Sequence, residues 1–333
     1  MSALLKMRNV QVSFGGREKN VALADVSLDV GTDPSSIMAI VGESGSGKTT
    51  LTRVLLGLQS PTSGTISFED LDVRSLGKSQ RHRFRRDVQA IFQDPFDVLN
   101  PFYVVDHALF QPLKLFGICS SRRLCQEKAE SALTQVGLRP QETLGKYPHE
   151  LSGGQRQRLM IARALMLDPA IIVADEPVSM VDASLRATIL DTLYQLSRDR
   201  GISLVYVTHD LATAYQVADT VMVLNRGRVM EVGDVESVIK RPSHPYTQAL
   251  LGAVPSPDPE VAWDIRSAEN VIEVGARENG CPFAGRCPAR MPRCEASAPP
   301  IYQVSASQGS ACYLFGDRVQ ITAAQVQAAR MTT

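Results

Sequence analysis

A glycine-rich stretch, GESGSGKTT at residues 42–50, follows the short apolar run SIMAIV and matches the pattern G-x-x-x-x-G-K-[ST] in full. Its glycines let successive backbone N–H groups turn inward around phosphate oxygens, and a helix that begins near Lys48 adds the positive end of its dipole. We expect Lys48 to reach the β- and γ-phosphates of a nucleotide and Thr49 to ligate Mg²⁺. The candidate phosphate-binding residues are Gly42, Glu43, Ser44, Gly45, Ser46, Gly47, Lys48, Thr49 and Thr50.

Two adjacent carboxylates, Asp175 and Glu176, end the apolar run in AIIVADEP at 170–177. Parallel α/β sheets place ligand chemistry at this end of their strands. Neighbouring side chains of an extended segment point to opposite sides, so we assign Asp175 to the Mg²⁺ shell and Glu176 to the water that attacks the γ-phosphate. Without the glycine-rich loop, a solvated strand end would be the ordinary interpretation of this pair.

Two further polar side chains follow apolar strands at the same expected edge of the sheet. His209 comes after ISLVYVT and could sense the γ-phosphate, although a surface histidine that caps the next helix is the alternative. Gln93 follows VQAIF, and its amide could bond both Mg²⁺ and water, although a plain turn residue is the alternative. The catalytic set predicted from sequence is therefore Glu176, His209 and Lys48.

A second glycine-rich turn, LSGGQRQR at 151–158, has the pattern of a helix N-terminus preceded by a capping serine. Such a turn offers a second anion site. Because a separate segment from about 95 to 150 intervenes, one chain does not easily bring both sites to one nucleotide. We therefore expect this turn to contact a phosphate held by a partner chain, through Ser152, Gly153, Gly154 and Gln155.

Taken in this order, and with SMVDAS at 179–184, the motifs resemble those of ATP-binding-cassette (ABC) ATPases over residues 1 to about 235. The resemblance implies that the Ser152 turn contacts the γ-phosphate of ATP held by an opposing subunit, with Asp182 at the dimer interface. It also implies that Phe14 stacks on adenine, for which a partly buried strand phenylalanine is the alternative. The roles of Met180 and Val181, which replace commoner residues, stay open.

The same resemblance implies an α/β protein with a P-loop NTPase core of the RecA-like kind. Alternating apolar and polar residues in the first 30 positions predict an antiparallel β subdomain beside this core. We expect a nucleotide-binding domain over 1–235, with a mostly helical insert at about 95–165, followed by a small cysteine-rich C-terminal extension over 236–333.

The segment HPYTQALL at 244–251 resembles the element that follows the ATPase in the oligopeptide, dipeptide and nickel importer subfamily. This implies an ATP-hydrolysing subunit that powers peptide import. The implied partners are a second ATPase subunit, identical or paralogous, two transmembrane permease subunits and a solute-binding protein. Oligosaccharide, opine or nickel are the alternative substrates, and a cassette ATPase acting on nucleic acid or ribosomes is the alternative function.

Four of the six cysteines lie near the C-terminus, at Cys281, Cys287, Cys294 and Cys312. The close C-x₂₋₄-C pairs of a zinc knuckle do not occur among them, whereas a 4Fe–4S cluster takes four thiolates at varied spacings. The spacing also resembles the cysteine-rich tail of that importer subfamily. We expect an iron–sulfur cluster as a structural staple, with zinc, or reduced, unliganded or disulfide-bonded cysteines, as alternatives. We interpret Cys119 and Cys125 as ordinary packing or surface thiols.

Charge and hydropathy limit the classes of partner. Basic and acidic residues each number 35, so no net field favours nucleic acid, and the basic segment RSLGKSQRHRFRR is interpreted as a solvated helix face. No apolar run approaches the roughly 20 residues of a membrane-spanning helix, and the N-terminus lacks a secretory pattern. We expect a peripheral protein at the cytoplasmic face of the inner membrane, with no nucleic-acid partner.

Overall fold

The computed structural model describes residues 3–15, 20–31, 35–94, 98–179, 181–253 and 280–330. Its strands are β1 (Leu5–Phe14), β2 (Asn20–Val30), β3 (Ile37–Val41), β4 (Ser63–Phe68), β5 (Leu71–Asp72), β6 (Val88–Ile91), β7 (Ile171–Asp175), β8 (Ser203–Thr208), β9 (Thr220–Asn225), β10 (Arg228–Asp234), β11 (Tyr302–Ser305) and β12 (Gln308–Ser310). Its helices are α1 (Lys48–Leu55), α2 (Lys78–Asp87), α3 (Val105–Leu115), α4 (Arg122–Gln135), α5 (Pro140–Thr143), α6 (Gly153–Leu165), α7 (Ala183–Arg200), α8 (Leu211–Val217), α9 (Val235–Lys240), α10 (Pro245–Gly252), α11 (Pro292–Ala296) and α12 (Ala323–Arg330).

The N-terminal strands form the antiparallel subdomain that the alternating pattern predicts. The strand order in this sheet is β2-β1-β4-β5. Leu5, Met7, Val10 and Val12 of β1 are all fully buried, and residues between them are half-buried or exposed. One face of the sheet therefore packs on the core and the other meets solvent.

The larger sheet has the strand order β11-β12-β10-β9-β3-β8-β7-β6. Strand β3 lies parallel to both β8 and β9, and β6, β7 and β8 continue the parallel pairing. Strands β3, β7 and β8 are buried along their whole length, which is why they read as unbroken apolar runs. Their carboxyl ends share one edge of the sheet. This edge gathers the predicted site residues, and the α/β prediction is confirmed.

The segment from α3 to α6 is helical throughout its regular structure, as predicted. Cys119 and Cys125 correct one expectation, because they form a disulfide with a Cα–Cα distance of 5.5 Å. Cys119 lies in the connection between α3 and α4, and Cys125 lies in the first turn of α4, which Ser121 caps, so the two cysteines meet. Both are buried in the core of the helical segment.

The C-terminal extension continues the main sheet instead of forming a separate core. Its hairpin of β11 and β12 pairs with β10 in antiparallel register. The buried carboxylate of Glu231 in β10 accepts hydrogen bonds from the backbone of Ser243 and His244 and from Gln308 Nε2. Burial raises the pKa of Glu231, and these donors oppose the effect. The extension is thus fixed to the core by a buried polar cluster.

Met180, whose role the sequence analysis left open, lies outside the described residues. Within the described part of the chain, no helix combines the length and apolar character that crossing a membrane requires.

Candidate nucleotide-binding site

The glycine-rich loop joins the buried strand β3 to helix α1 and closes on itself. Lys48 Nζ donates hydrogen bonds to the carbonyl oxygens of Gly42 at 2.7 Å and Glu43 at 3.0 Å. Gly45 and Gly47 have φ values of 77° and 104°, in the left-handed region. A Cβ at Gly47 would lie 2.6 Å from the Ala22 carbonyl oxygen, so a side chain does not fit there. The loop keeps the form of a phosphate cradle because these positions are glycines.

An open cleft of about 1890 Å³ lies over the loop. It brings together most of the residues predicted from sequence, although they follow four different strands, β3, β6, β7 and β8. The predicted residues that line it are Gly42, Glu43, Ser44, Gly45, Gly47, Lys48, Thr49, Thr50, Gln93, Glu176 and His209. Ser46 lies beneath the lining, and its buried Oγ has no hydrogen-bond partner in the described structure.

Glu176 is held between two polar side chains at the sheet edge. Gln93 Nε2 donates a hydrogen bond to Glu176 Oε2 at 3.0 Å. His209 Nδ1 lies 3.2 Å from Glu176 Oε1. The backbone φ of Glu176 is 47°, a left-handed value that is costly for a side chain of this size and typical of functional sites. The carboxylate is therefore fixed at the cleft, where it can accept a proton from water.

Asp175 occupies a buried position next to Glu176 and Lys48. Burial, and then the neighbouring charge of Glu176, raise the pKa of Asp175 to about 6, while Lys48 opposes the shift. Burial lowers the pKa of Lys48, and Glu176, Asp175 and Glu43 oppose that change. A divalent cation beside Asp175 would favour its ionised form, so the charge pattern of these residues fits Mg²⁺.

The cleft also has lining residues that the sequence analysis missed. They are Gln11, Asn20, Val21, Ala22, Ala24, Asp25, Arg226, Arg228, Leu250, Gly280 and Pro282. Two of these lining residues, Arg226 and Arg228, lie at the turn between β9 and β10. In that turn, Gly227 N–H donates a hydrogen bond to Ser46 O at 2.7 Å. The NRGR turn was visible in the sequence. Its position over the loop depends on β9 pairing with β3, which no local pattern specifies.

The Ser152 turn has the helix-capping structure that its sequence predicts. Ser152 Oγ accepts a hydrogen bond from Gln155 N–H at 3.2 Å, and Gln155 Oε1 accepts one from Ser152 N–H at 2.9 Å. A Cβ on Gly154 would lie 1.8 Å from Leu185 Cδ2, so helix α6 packs against α7 at this point. None of the residues Ser152 to Gln155 lines the cleft of the same chain.

Phe14 and Asp182 complete the predicted nucleotide-contacting residues. Phe14 is 44% exposed and does not line the cleft, but its strand partner Asn20 does. Asp182 caps α7 by accepting a hydrogen bond from Leu185 N–H at 2.9 Å, and this bond is the first cause of its lowered pKa. Val181 packs into the core. Stacking by Phe14 and an interface role for Asp182 stay predictions.

The four C-terminal cysteines converge in one module. Burial raises the pKa of the Cys281 thiol to about 11, and the charges of Cys294, Cys287 and Cys312 add to the shift. Burial also raises the pKa of Cys287 and Cys312. Within the described ranges, however, no group of three or more His, Cys, Asp or Glu side chains is arranged to hold a metal ion. The donor set suits a thiolate-bound metal, whereas its arrangement does not enclose an ion.

Comparison with known proteins agrees with this geometry. The family model described as ABC transporter matches residues 23–179, and the one described as oligopeptide/dipeptide transporter, C-terminal region, matches 230–294. A peptide import ATP-binding protein of Brucella ovis, provisionally so named, is 41% identical over 312 residues, which cover 93% of this chain and 97% of the relative. The di/tripeptide transport ATP-binding protein DppF of Pseudomonas aeruginosa is 40% identical to this chain, over a match that covers 88% of this chain and 91% of DppF.

Among solved structures, the chain is similar to the ATP-binding cassette MJ0796 in a dimeric, post-hydrolysis state bound to ADP and Pi. The two share 29% sequence identity and superpose with a TM-score of 0.63, over 69% of this chain and 98% of the cassette. The superposition supports the P-loop core and the predicted subdomains.

Proposed function

This chain belongs to the ABC transporter family, and on that premise we propose that it is the ATP-hydrolysing subunit of a peptide importer. The relatives named for peptide import match it along nearly their whole length. The match of 230–294 to the oligopeptide/dipeptide C-terminal region supports the same branch of the family. Peptide is therefore the favoured substrate class over oligosaccharide, opine or nickel.

The observation that carries this proposal is the position of Glu176 over the glycine-rich loop, between Gln93 and His209. Water attacks the γ-phosphorus of ATP, the bond to the β–γ bridging oxygen breaks, and ADP leaves. Glu176 accepts the proton of the attacking water, and Gln93 and His209 keep its carboxylate oriented.

Lys48 and the loop amides stabilise the charge that develops on the phosphoryl oxygens. Thr49, Gln93 and Asp175 are the residues that would hold Mg²⁺, which supplies charge neutralisation at the phosphates when bound. Phe14 would stack on the adenine. The positions of strand ends β3, β6, β7 and β8 support the roles of Lys48, Gln93 and Asp175, and mutation tests each role separately.

We propose that each nucleotide is shared between two subunits. Ser152 is exposed, no residue from Ser152 to Gln155 lines the cleft of its own chain, and the turn offers helix N-terminal amides to an anion. The dimeric state of the similar cassette MJ0796 supports such an arrangement. In it, Ser152 to Gln155 and Asp182 of one subunit would face the ATP of the other subunit, either an identical chain or a paralogue.

The helical segment offers a surface for permease subunits. Phe102 is 86% exposed and Tyr103 is 50% exposed, beside the loop that begins at Gln93. Exposed aromatic side chains of this kind are typical of protein interfaces. Binding of two transmembrane subunits here would hold the protein at the cytoplasmic face of the membrane, and a solute-binding protein would deliver the peptide.

For the four-cysteine module we propose a 4Fe–4S cluster with a structural role. The charges of Cys294, Cys287 and Cys312 contribute to the raised pKa of Cys281, so the four thiols lie close enough to interact, and four thiolates are the ligand set that such a cluster takes. Anaerobically purified protein should absorb broadly near 400 nm and contain iron and acid-labile sulfide. Colourless protein with one zinc per chain, or with neither metal, would exclude the cluster.

The proposed function is tested by reconstitution. The chain is purified with its co-encoded permease subunits, placed in vesicles and supplied with the co-purifying solute-binding protein. ATP hydrolysis should rise when di- or oligopeptides are added with that protein. Stimulation by a sugar, an opine or nickel but by no peptide would overturn the substrate class, and absence of ATP hydrolysis would overturn the function.

A further inference from the structure

Glu43, the second residue of the glycine-rich loop, is held by the C-terminal extension at both its side chain and its backbone. Arg286 Nη1 donates to the two carboxylate oxygens of Glu43 at 3.0 and 3.2 Å. The Glu43 N–H donates to the Tyr246 hydroxyl oxygen at 3.2 Å. Two residues more than 200 positions downstream thus fix one residue of the phosphate cradle.

The two contacting residues belong to one packed unit. Tyr246 in α10 is fully buried, and its ring lies 5.3 Å from that of Phe283 between centroids. The Arg286 guanidinium lies 5.5 Å from the same Phe283 ring. Arg286 ends a short turn whose next residue is Cys287, and its N–H donates to Phe283 O at 3.0 Å. The position of Arg286 is therefore set by the folding of the cysteine module.

The charge of Glu43 explains why this contact matters for a nucleotide. Glu43 lines the cleft, so its carboxylate faces an incoming triphosphate of the same sign. An unpaired carboxylate there would repel the phosphates, whereas the Arg286 ion pair offsets its charge. The Glu43 carbonyl oxygen also accepts a hydrogen bond from Lys48 Nζ, so displacement of Glu43 would disturb the lysine.

We propose that the C-terminal extension contributes to nucleotide binding, with Arg286 and Tyr246 as positioning residues that act through Glu43. The extension fixes the shape of the glycine-rich loop, and Arg286 neutralises the Glu43 carboxylate in the cleft lining. MgATP therefore binds more tightly. This inference rests on the proposed function, since it takes the nucleotide of this cleft to be ATP.

The first test measures the Kd of MgATP together with KM and kcat for Arg286→Gln in the assembled transporter. We expect Kd and KM to rise about threefold to tenfold, because the ion pair with Glu43 is lost and the unpaired carboxylate repels the phosphates. The value of kcat should stay within about twofold of that of the unmodified chain. The defect should shrink at high salt, which screens the repulsion, and Arg286→Lys should restore part of the affinity. Tyr246→Phe should weaken binding in the same direction.

The matched control is Arg290→Gln. Arg290 belongs to the same module and forms an ion pair with Glu295 at 3.4 Å, and both pairs have similar exposure. This variant should bind MgATP as the unmodified chain does. An equal loss of affinity in the control would mean that general damage to the module is responsible and would overturn the inference.

The deciding experiment repeats Arg286→Gln in a Glu43→Gln background. Because Arg286 acts through the carboxylate, its replacement should have no further effect there. A persistent loss of affinity would mean that Arg286 contacts the nucleotide directly, and normal affinity of the single Arg286→Gln variant would mean that the contact is only structural. Either result overturns the inference, whereas failure of the unmodified chain to bind ATP would overturn the proposed function itself.

Discussion

Gln93 donates a hydrogen bond to Glu176 across the edge of the main sheet, from Nε2 to Oε2 at 3.0 Å. The bond joins the ends of β6 and β7, which lie side by side in parallel register. It fixes one oxygen of the carboxylate and leaves the other facing His209. The orientation of the proposed base, Glu176, therefore depends on Gln93, which the sequence alone hardly distinguishes from an ordinary turn residue.

Gln93→Ala removes this donor. We expect kcat for ATP hydrolysis to fall about tenfold or more, because hydrogen bonds to charged groups are strong, while the affinity for nucleotide changes less. Steady-state kinetics on the assembled transporter measure both quantities. Gln89→Ala is the control, since Gln89 Nε2 donates only within its own segment, to Arg85 O at 2.6 Å and to Arg86 O at 3.3 Å. An unchanged kcat in Gln93→Ala would remove the residue from the site.

Glu176→Gln replaces the proton acceptor by an amide of the same shape. We expect hydrolysis to fall about 10²- to 10⁴-fold, as for loss of a general base, with MgATP still bound through the glycine-rich loop. Single-turnover hydrolysis and equilibrium binding separate the two effects. Glu236→Gln, which changes an exposed carboxylate in α9, serves as the control. Normal turnover in Glu176→Gln would exclude the catalytic role.

Asp175→Asn should stabilise the nucleotide-free protein while it abolishes Mg²⁺-dependent hydrolysis. The pKa of Asp175 is raised from 3.8 to about 6, so its ionisation costs stability that is absent below about pH 4, grows between pH 4 and 6 and is complete above pH 6. At neutral pH the variant should be about 3 kcal/mol more stable, and near pH 4 the difference should be close to zero.

Chemical denaturation at several pH values measures this effect. Asp191→Asn, the same substitution at an exposed position of α7, is the control for the change of side chain. A variant that is less stable than the unmodified chain at neutral pH would contradict the charge balance described for Asp175.

Gly154→Ala tests the packing of the Ser152 turn. Its new Cβ would lie 1.8 Å from Leu185 Cδ2, so α6 must shift against α7. We expect ATP hydrolysis by the assembled transporter to fall at least tenfold, while nucleotide binding by the isolated chain is retained, because the glycine-rich loop is elsewhere. Leu185→Ala in the same chain should restore activity, and Gly252→Ala, which meets no atom within 4 Å, should be neutral.

The sequence predicts those parts of the site that local patterns encode. The loop at 42–50, the carboxylate pair at the end of β7 and the cap at Ser152 are each recognisable from consecutive residues. In the structure the loop joins β3 to α1, Asp175 ends β7 and Ser152 caps α6, whereas their functional roles stay predictions. The parallel pairing of β3, β8 and β7 agrees with their unbroken apolar runs, since parallel strands are buried on both faces, but those runs do not specify the order of the strands.

The remaining features depend on contacts between distant segments. Arg286 contacts Glu43 because the C-terminal extension packs on the core, where β12 pairs with β10, and the cysteine module therefore lies beside the glycine-rich loop. Arg226 reaches the cleft only because β9 pairs with β3. The disulfide of Cys119 and Cys125 depends on the turn after α3. No motif or periodicity in the chain encodes these relationships, so sequence reasoning missed them.

The central claim is that one subunit's glycine-rich loop and another subunit's Ser152 turn enclose each ATP. It is tested most directly by the distance from Ser152 Oγ to the nearest γ-phosphate oxygen in a structure of the assembled transporter that carries Glu176→Gln and MgATP. The account predicts a hydrogen bond of about 3 Å to ATP held by the opposing subunit. A Ser152 turn more than about 10 Å from every triphosphate, well beyond hydrogen-bond range, would contradict it.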